Sequence, residues 1–164
     1  MQNKKLSRRL FLASGVALGL SLAQASKVLA NEITKLILTE KEWKMKLSEE
    51  EYDVLRDEGT EKPWSSKLNE EKRKGTYVCA GCDLPLFSSE MKFDSGTGWP
   101  SFYTHIKDAV ETKLDFKLIY PRTEYHCTKC GGHQGHVFKD GPKPTGERWC
   151  NNGVALKFIP QEKG

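Results

Sequence analysis

Four cysteines in two tight pairs, Cys79-x-x-Cys82 and Cys127-x-x-Cys130, constrain this chain more than any other feature of its sequence. Residues 83–126 separate the pairs, so whatever joins them closes the middle of the chain on itself. Four thiolates at the corners of a tetrahedron suit Zn²⁺, and a closed shell of four leaves no open position for a substrate; such an ion is structural. Glycines mark the places where each knuckle must turn, Gly81 inside the first and Gly131-Gly132 after the second. Two local disulfides, an iron centre or a redox dithiol are the other readings, and the presence of two pairs favours zinc. Loss of the ion should then cost folding itself. Cys150 is left over. Within Arg148-Trp149-Cys150-Asn151-Asn152 it reads either as a nucleophile beside an arginine or as a small buried apolar side chain.

From Gly75 onward the texture is that of short strands and turns. Thr76-Tyr77-Val78 is β-branched and aromatic, Leu84 to Phe87 follows with Pro85 inside it, and His136-Val137-Phe138 is a further short run. Lys113 to Tyr120 alternates, with Leu114, Phe116, Leu118 and Tyr120 on one face, and Val154, Leu156 and Phe158 alternate after Cys150. Asp140 to Gly146 is dense in turn formers. Together these predict a mainly antiparallel β domain. Ahead of it, Ser48 and Glu51 form a capping box that opens a helix, and Gly59 is expected to stop it. Residues 31–47 read as an N-terminal arm with little periodic signal, and residues 48–164 as the domain. In the charged loop Glu61 to Lys74, Trp64 is expected to staple the arm to the core. No internal repeat exists beyond the cysteine pairs.

The formal charge of +4 points to no acidic partner. Five basic side chains and no acidic ones lie in residues 1–30; removing these from 26 basic residues leaves 21 against 22 acidic, a balance of −1. Nothing here supports a nucleic-acid footprint. Those first 30 residues have the order of a secretory leader. A basic start is followed by Ser7-Arg8-Arg9-Leu10-Phe11-Leu12, an apolar run to Ala23, and small residues at Ala25 and Ala30. The paired arginines resemble a twin-arginine export signal. The run is too short and too rich in small residues to span a bilayer well. Cleavage after Ala30, with Ala25 as the alternative, implies a periplasmic protein that meets a membrane only during export. An oxidising compartment endangers thiols. A route that exports folded proteins lets the metal load first.

The motifs Phe93-Asp94-Ser95-Gly96-Thr97-Gly98-Trp99-Pro100-Ser101-Phe102, Gly135-His136-Val137-Phe138, Asp140-Gly141-Pro142, Pro144-Thr145-Gly146 and Arg148-Trp149-Cys150-Asn151-Asn152 occur in this order. Together with the cysteine pairs they resemble the methionine-R-sulfoxide reductase family over about residues 40–160. The resemblance implies two small antiparallel sheets, a structural zinc opposite the active site, and reduction of the R epimer of methionine sulfoxide, free or in proteins. It implies Cys150 as nucleophile, Trp99 as the indole that packs the substrate methyl, His133 and His136 as the paired histidines, and Arg148 and Asn152 as the residues flanking the nucleophile. Phe138, in the Gly-His-Val-Phe motif, joins Trp99 as substrate-binding.

These residue types suit the reaction without the family. A sulfoxide carries a pyramidal sulfur, a strongly accepting oxygen and a small methyl. A thiolate must attack the sulfur while the oxygen is protonated. Arg148 favours a thiolate by charge, a histidine supplies a proton near neutral pH, and Asn152 offers a hydrogen bond. His105 and His126 are expected to be structural. The chain departs from the family at three places: Thr97 occupies the position of a second, resolving cysteine, Gly153 follows Asn152 where serine is usual, and Trp149 replaces tyrosine or phenylalanine. With four cysteines on zinc, none remains to resolve Cys150, so its sulfenic acid awaits an external thiol, such as a thioredoxin-like partner. A non-catalytic zinc-ribbon module that displays Trp99 to a protein partner is the alternative. Such a module has no need of Cys150 and its neighbours.

Overall fold

The computed structural model describes residues 33–117 and 120–162, so the segment read as an export signal lies outside the described residues. Helices α1 (Glu40–Lys46) and α2 (Glu49–Asp57) begin at hydroxyl caps, Thr39 and Ser48, and Glu42 and Glu51 complete a capping box on each. In such a box, side chains at both ends satisfy backbone N–H groups that the helix leaves unpaired. The box at Ser48 is the one legible in the sequence. The helix at Thr39 falls in the stretch without periodic signal, because seven residues that bury only Trp43 make no stripe. α2 buries Val54 and Leu55. The left-handed turn after it falls on Glu58 (φ 58°), one residue before the expected stop at Gly59.

Among the described residues, nine strands form two antiparallel sheets. β1 (Gly75–Cys79), β2 (Pro85–Ser88) and β9 (Leu156–Pro160) make the smaller, in the order β2-β1-β9. The larger has the order β3-β4-β8-β7-β6-β5. Its strands are β3 (Lys92–Phe93), β4 (Ser101–Phe102), β5 (Val110–Asp115), β6 (Arg122–Cys127), β7 (His133–Phe138) and β8 (Arg148–Asn151). Pro85 opens β2, where a missing N–H costs little of the ladder.

Each cysteine pair is the turn of a hairpin, one in each sheet. Cys79 to Cys82 closes β1 onto β2, and the Asp83 N–H donates to the Cys79 carbonyl at 2.8 Å. Cys127 to Cys130 closes β6 onto β7, where Gly131 (φ 68°) donates to the Cys127 carbonyl at 2.8 Å. An ion held by both pairs therefore fastens the two sheets together. Between the sheets lies an aromatic core. Phe87 stacks on Phe102 at 4.0 Å, Tyr77 meets Phe102 edge-on at 5.0 Å, and Tyr125 meets Trp149 at 5.0 Å.

Two expectations about apolar residues fail. Trp64 is not a buried staple: it is 61% exposed, and Trp43, at 4%, is the buried indole of the N-terminal region. Trp43 lies with Leu55 over the first knuckle, where a Cβ on Gly81 would touch both at 3.6 Å. The alternating run from Lys113 to Tyr120 is a strand only as far as Asp115. Leu114, Phe116 and Tyr120 are exposed, and Leu118 lies outside the described residues. The alternation is real, but the buried side chain on this edge strand is Asp115. The reason is chemical and lies in the site below.

Candidate active site

Strand alternation gives the six-stranded sheet two unlike faces. On one, Phe102, Trp149, Val137 and Tyr125 pack toward the core. On the other, the residues opposite each other across the ladder are polar or reactive, Phe138 excepted. Ser101 pairs with Cys150, His136 with Cys150 from the other side, Phe138 with Arg148, Glu124 with His136, and Asp115 with Arg122. Directly opposed residues in antiparallel strands project to the same side with their Cβ atoms about 5 Å apart. The fold thus brings the His136 ring and the Cys150 thiol to one wall by register alone.

They line a small pocket of about 120 Å³ with Trp99, Phe138, Arg122 and Asn152. A larger cleft of about 1020 Å³ lies between α2 and residues 60–66, but its lining, in which charged side chains of both signs predominate, holds no thiol and no histidine. The chemistry belongs to the smaller pocket. Cys150 is half-buried, and burial pushes its thiol up; the Arg148 guanidinium and the neighbouring Thr97 hydroxyl pull the other way. Asp140 holds Arg148 by two bonds of 2.9 Å, and the guanidinium lies 4.3 Å over the Phe138 ring. A planar, doubly anchored cation keeps its place beside the sulfur. Phe138 is thereby a platform for Arg148 as well as a wall of the pocket.

Burial also holds His136 below the ordinary histidine value, against the opposing effect of its hydrogen bond to Asp115. The His136 Nε2 lies 2.8 Å from Asp115 Oδ2, which Arg122 also holds at 2.5 Å; the other oxygen accepts the Lys117 N–H at 2.8 Å. With Nε2 engaged, Nδ1 is the nitrogen free to exchange a proton in the pocket. His133 is placed differently. It is 2% exposed and bonds Glu124 at 2.7 Å through Nδ1, and burial pushes its pKa down to about 4. Its ring meets that of His136 edge-on at 5.4 Å, so it buttresses the pocket histidine from behind. His105 packs against Trp149 at 4.5 Å and His126 lies 3.5 Å from Glu111, both away from the pocket.

Asn152 and Trp99 are both tied to one residue that the sequence did not single out. The Glu61 N–H donates to Asn152 Oδ1 at 3.1 Å, and its carbonyl accepts from Trp99 Nε1 at 3.2 Å. Its carboxylate takes the N–H groups of Gly153 and Val154 at 2.7 and 2.9 Å. Burial nevertheless raises the Glu61 pKa. Asn152 Nδ2 donates to the Gln134 carbonyl at 3.1 Å, so its amide braces the loop more than it reaches for substrate. Glu61 sits in a charged loop whose composition gives no hint of this role. Asp115 was equally hidden, inside an apolar alternation that drew attention to its neighbours.

On the far side of the core, the four paired cysteines converge. Their sulfur atoms lie within 4.8 Å of one another, all buried, with contacts of 3.6 Å (Cys79 to Cys130) and 3.5 Å (Cys82 to Cys127). Four soft donors in a closed, dry cluster can hold a metal ion with no position open to a substrate.

A half-buried thiol facing a carboxylate-held histidine, on a β fold with a four-cysteine cluster, defines a cysteine-centred redox site. The chain matches the SelR domain over residues 47–160. It is 53% identical over 127 residues to the peptide methionine sulfoxide reductase MsrB of Methanosarcina barkeri, covering 77% of this chain and 89% of the relative. With MsrB of Pseudomonas putida it shares 52% over 130 residues, 78% and 97% of the two chains. With the chloroplastic peptide methionine sulfoxide reductase B1 of Arabidopsis thaliana it shares 50% over 127 residues, 77% of this chain but 63% of that longer protein. The chain belongs to the methionine-R-sulfoxide reductase family.

Proposed function

We propose that this chain reduces the R epimer of methionine sulfoxide to methionine, free or within proteins, by oxygen transfer to Cys150. The observation that carries the reading is the pairing of His136 with Cys150 across β7 and β8 on the wall of the Trp99 pocket. In the resting site burial pushes the thiol up and the imidazole down, which favours the neutral form of each. His136 takes the thiol proton through Nδ1 as the sulfoxide enters, and Asp115 and the oriented ring stabilise the imidazolium. The thiolate attacks the sulfoxide sulfur, His136 returns the proton to the oxygen, and the sulfur–sulfur bond so formed breaks as the hydroxyl migrates from the substrate sulfur to Cys150. The products are methionine and a Cys150 sulfenic acid, with atoms and electrons balanced. Trp99 is held by Glu61 as a flat wall for the methyl group.

Resolution requires a thiol from outside. Thr97 touches Cys150 where a resolving cysteine would stand, and the other four cysteines are committed to the cluster. A thiol reductant such as a thioredoxin-like protein attacks the sulfenic sulfur, releases water, and a second thiol frees Cys150. Zinc is the ion that best suits four thiolates, and it acts structurally. The Ser7-Arg8-Arg9-Leu10-Phe11-Leu12 run supports twin-arginine export to the periplasm. Retention of an Arg8→Lys/Arg9→Lys double variant in the periplasm would sink that assignment.

The activity is tested with separated R and S epimers and dithiothreitol as reductant. Wild type is expected to consume only the R epimer and Cys150→Ser neither. Equal turnover by the two proteins would refute the reading. After one turnover without reductant, mass spectrometry should find one added oxygen on Cys150, and an intrachain disulfide there would contradict the resolving step.

A further inference from the structure

Gln134 is fully buried, inside β7 between the two histidines. A buried amide is costly unless its polar atoms are paired, and here the pairing is unusual. Nε2 donates to the Cys79 sulfur at 3.5 Å and to the Gly132 carbonyl at 3.4 Å. Oε1 accepts from Asn151 Nδ2 at 3.4 Å. Asn151 in turn accepts the Tyr125 hydroxyl at 2.7 Å and donates to the Asn152 carbonyl at 2.7 Å. The Gln134 carbonyl takes the Asn152 backbone N–H at 2.8 Å and its side-chain amide at 3.1 Å. One side chain therefore links a sulfur of the metal cluster to the residue directly after Cys150.

We propose that Gln134 is the hydrogen-bond donor that caps the Cys79 ligand sulfur and couples metal retention to the placement of the strand carrying Cys150. The proposal rests on the reading of the four cysteines as a metal site. An N–H donated to a ligand thiolate draws charge from the sulfur, which makes it less reactive toward electrophiles and fixes its direction. Cys79 ends β1 in the smaller sheet, whereas Gln134 and Asn151 belong to the larger. The chain of bonds thus crosses the same junction as the ion. A glutamine that served only its Asn151 and Gly132 contacts would, on replacement by leucine, cost stability by leaving those partners short of a bond, but would not single out the Cys79 sulfur for faster metal loss.

Elemental analysis of the wild-type protein comes first and tests the metal reading alone. Zinc release to a chromogenic chelator is then followed at neutral pH in wild type, Gln134→Leu and Val137→Ala. The last loosens the same strand without touching the chain of bonds. Release is expected to be about 10-fold faster in Gln134→Leu than in either of the others. Peptide mapping after brief alkylation should find Cys79 labelled ahead of Cys82 in that variant alone. Tyr125→Phe, which removes one hydroxyl at the far end, should speed release about threefold and also shift the pH dependence of Cys150 alkylation. If Gln134→Leu releases zinc no faster than Val137→Ala, Gln134 does not cap the cluster. If Tyr125→Phe alters Cys150 but leaves zinc release unchanged, the coupling is absent, and this second test stands even if the leucine variant does not fold.

Discussion

The two faces of the six-stranded sheet are built from the same strands at alternate residues, yet they answer to different physics. The core face is aromatic and was assembled for packing; Phe102 and Tyr125 on it are fully buried. The pocket face carries Asp115, Arg122, Glu124, His136, Arg148 and Cys150, a set that no core would accept unpaired. All but Cys150 have a charged or imidazole partner: Arg148 has Asp140, His136 and Arg122 share Asp115, and Glu124 has His133. Mutations should separate the faces cleanly, the core face losing stability and the pocket face losing chemistry.

The largest effect should come from the cluster that serves both faces by joining the sheets. Removing the ion with a strong chelator, or Cys127→Ser, should unfold the domain rather than slow it, because a structural zinc is worth on the order of 10 kcal/mol of folding. Circular dichroism that stays native after metal removal would break the claim. Next is the core face. Phe102→Ala removes a ring stacked at 4.0 Å on Phe87 and should cost about 3–5 kcal/mol in urea melts, while the folded fraction keeps its selectivity for the R epimer.

Asp115→Asn tests the pocket face. The carboxylate raises the His136 pKa against the larger effect of burial, so its loss lowers that pKa further and weakens the imidazolium. Activity needs one proton shared by the Cys150–His136 pair, and the acid limb of kcat/KM reports protonation of His136. That limb should therefore move to lower pH, and the maximum should fall roughly 10- to 100-fold. An unchanged limb with a uniformly lower rate would demote Asp115 to a structural residue.

This contrast also explains what could be read from the chain. The convergence of the cysteine pairs into a cluster that could hold a metal ion was legible because their chemistry is local: each pair is one hairpin turn. The capping box at Ser48 was legible for the same reason. Cys150 and His136 were found through motifs. Their partnership was not legible, since it depends on the register of β7 against β8 across a long connection. Asp115 was hidden because period-two reasoning assigns the buried face to the apolar residues, and here the polar set is buried by function. Trp64 misled for a related reason: an aromatic beside a proline suggests a staple, yet its backbone N–H, bonded to the Gly98 carbonyl at 2.7 Å, makes the contact and leaves the ring outside.

The smallest predicted effect is at Thr97. Its hydroxyl lies in a chain with Ser95 (2.8 Å) and, through Ser95, Ser101 (2.8 Å), and beside Cys150 it acts in the direction that lowers the thiol pKa. Thr97→Val keeps the shape and removes the hydroxyl. The Cys150 pKa, already raised by burial, should rise further, so the rate of alkylation by iodoacetamide should need a higher pH to reach half its maximum. A lost hydrogen bond to a charged sulfur is worth about 1.5–3 kcal/mol at most, and the remaining pull of Arg148 limits the fall in kcat/KM at neutral pH to about 10-fold. Thr97→Ser, which keeps the hydroxyl, should restore most of both. If the valine and serine variants behave alike, the residue at this position only fills space beside Cys150, and the thiolate depends on Arg148 alone.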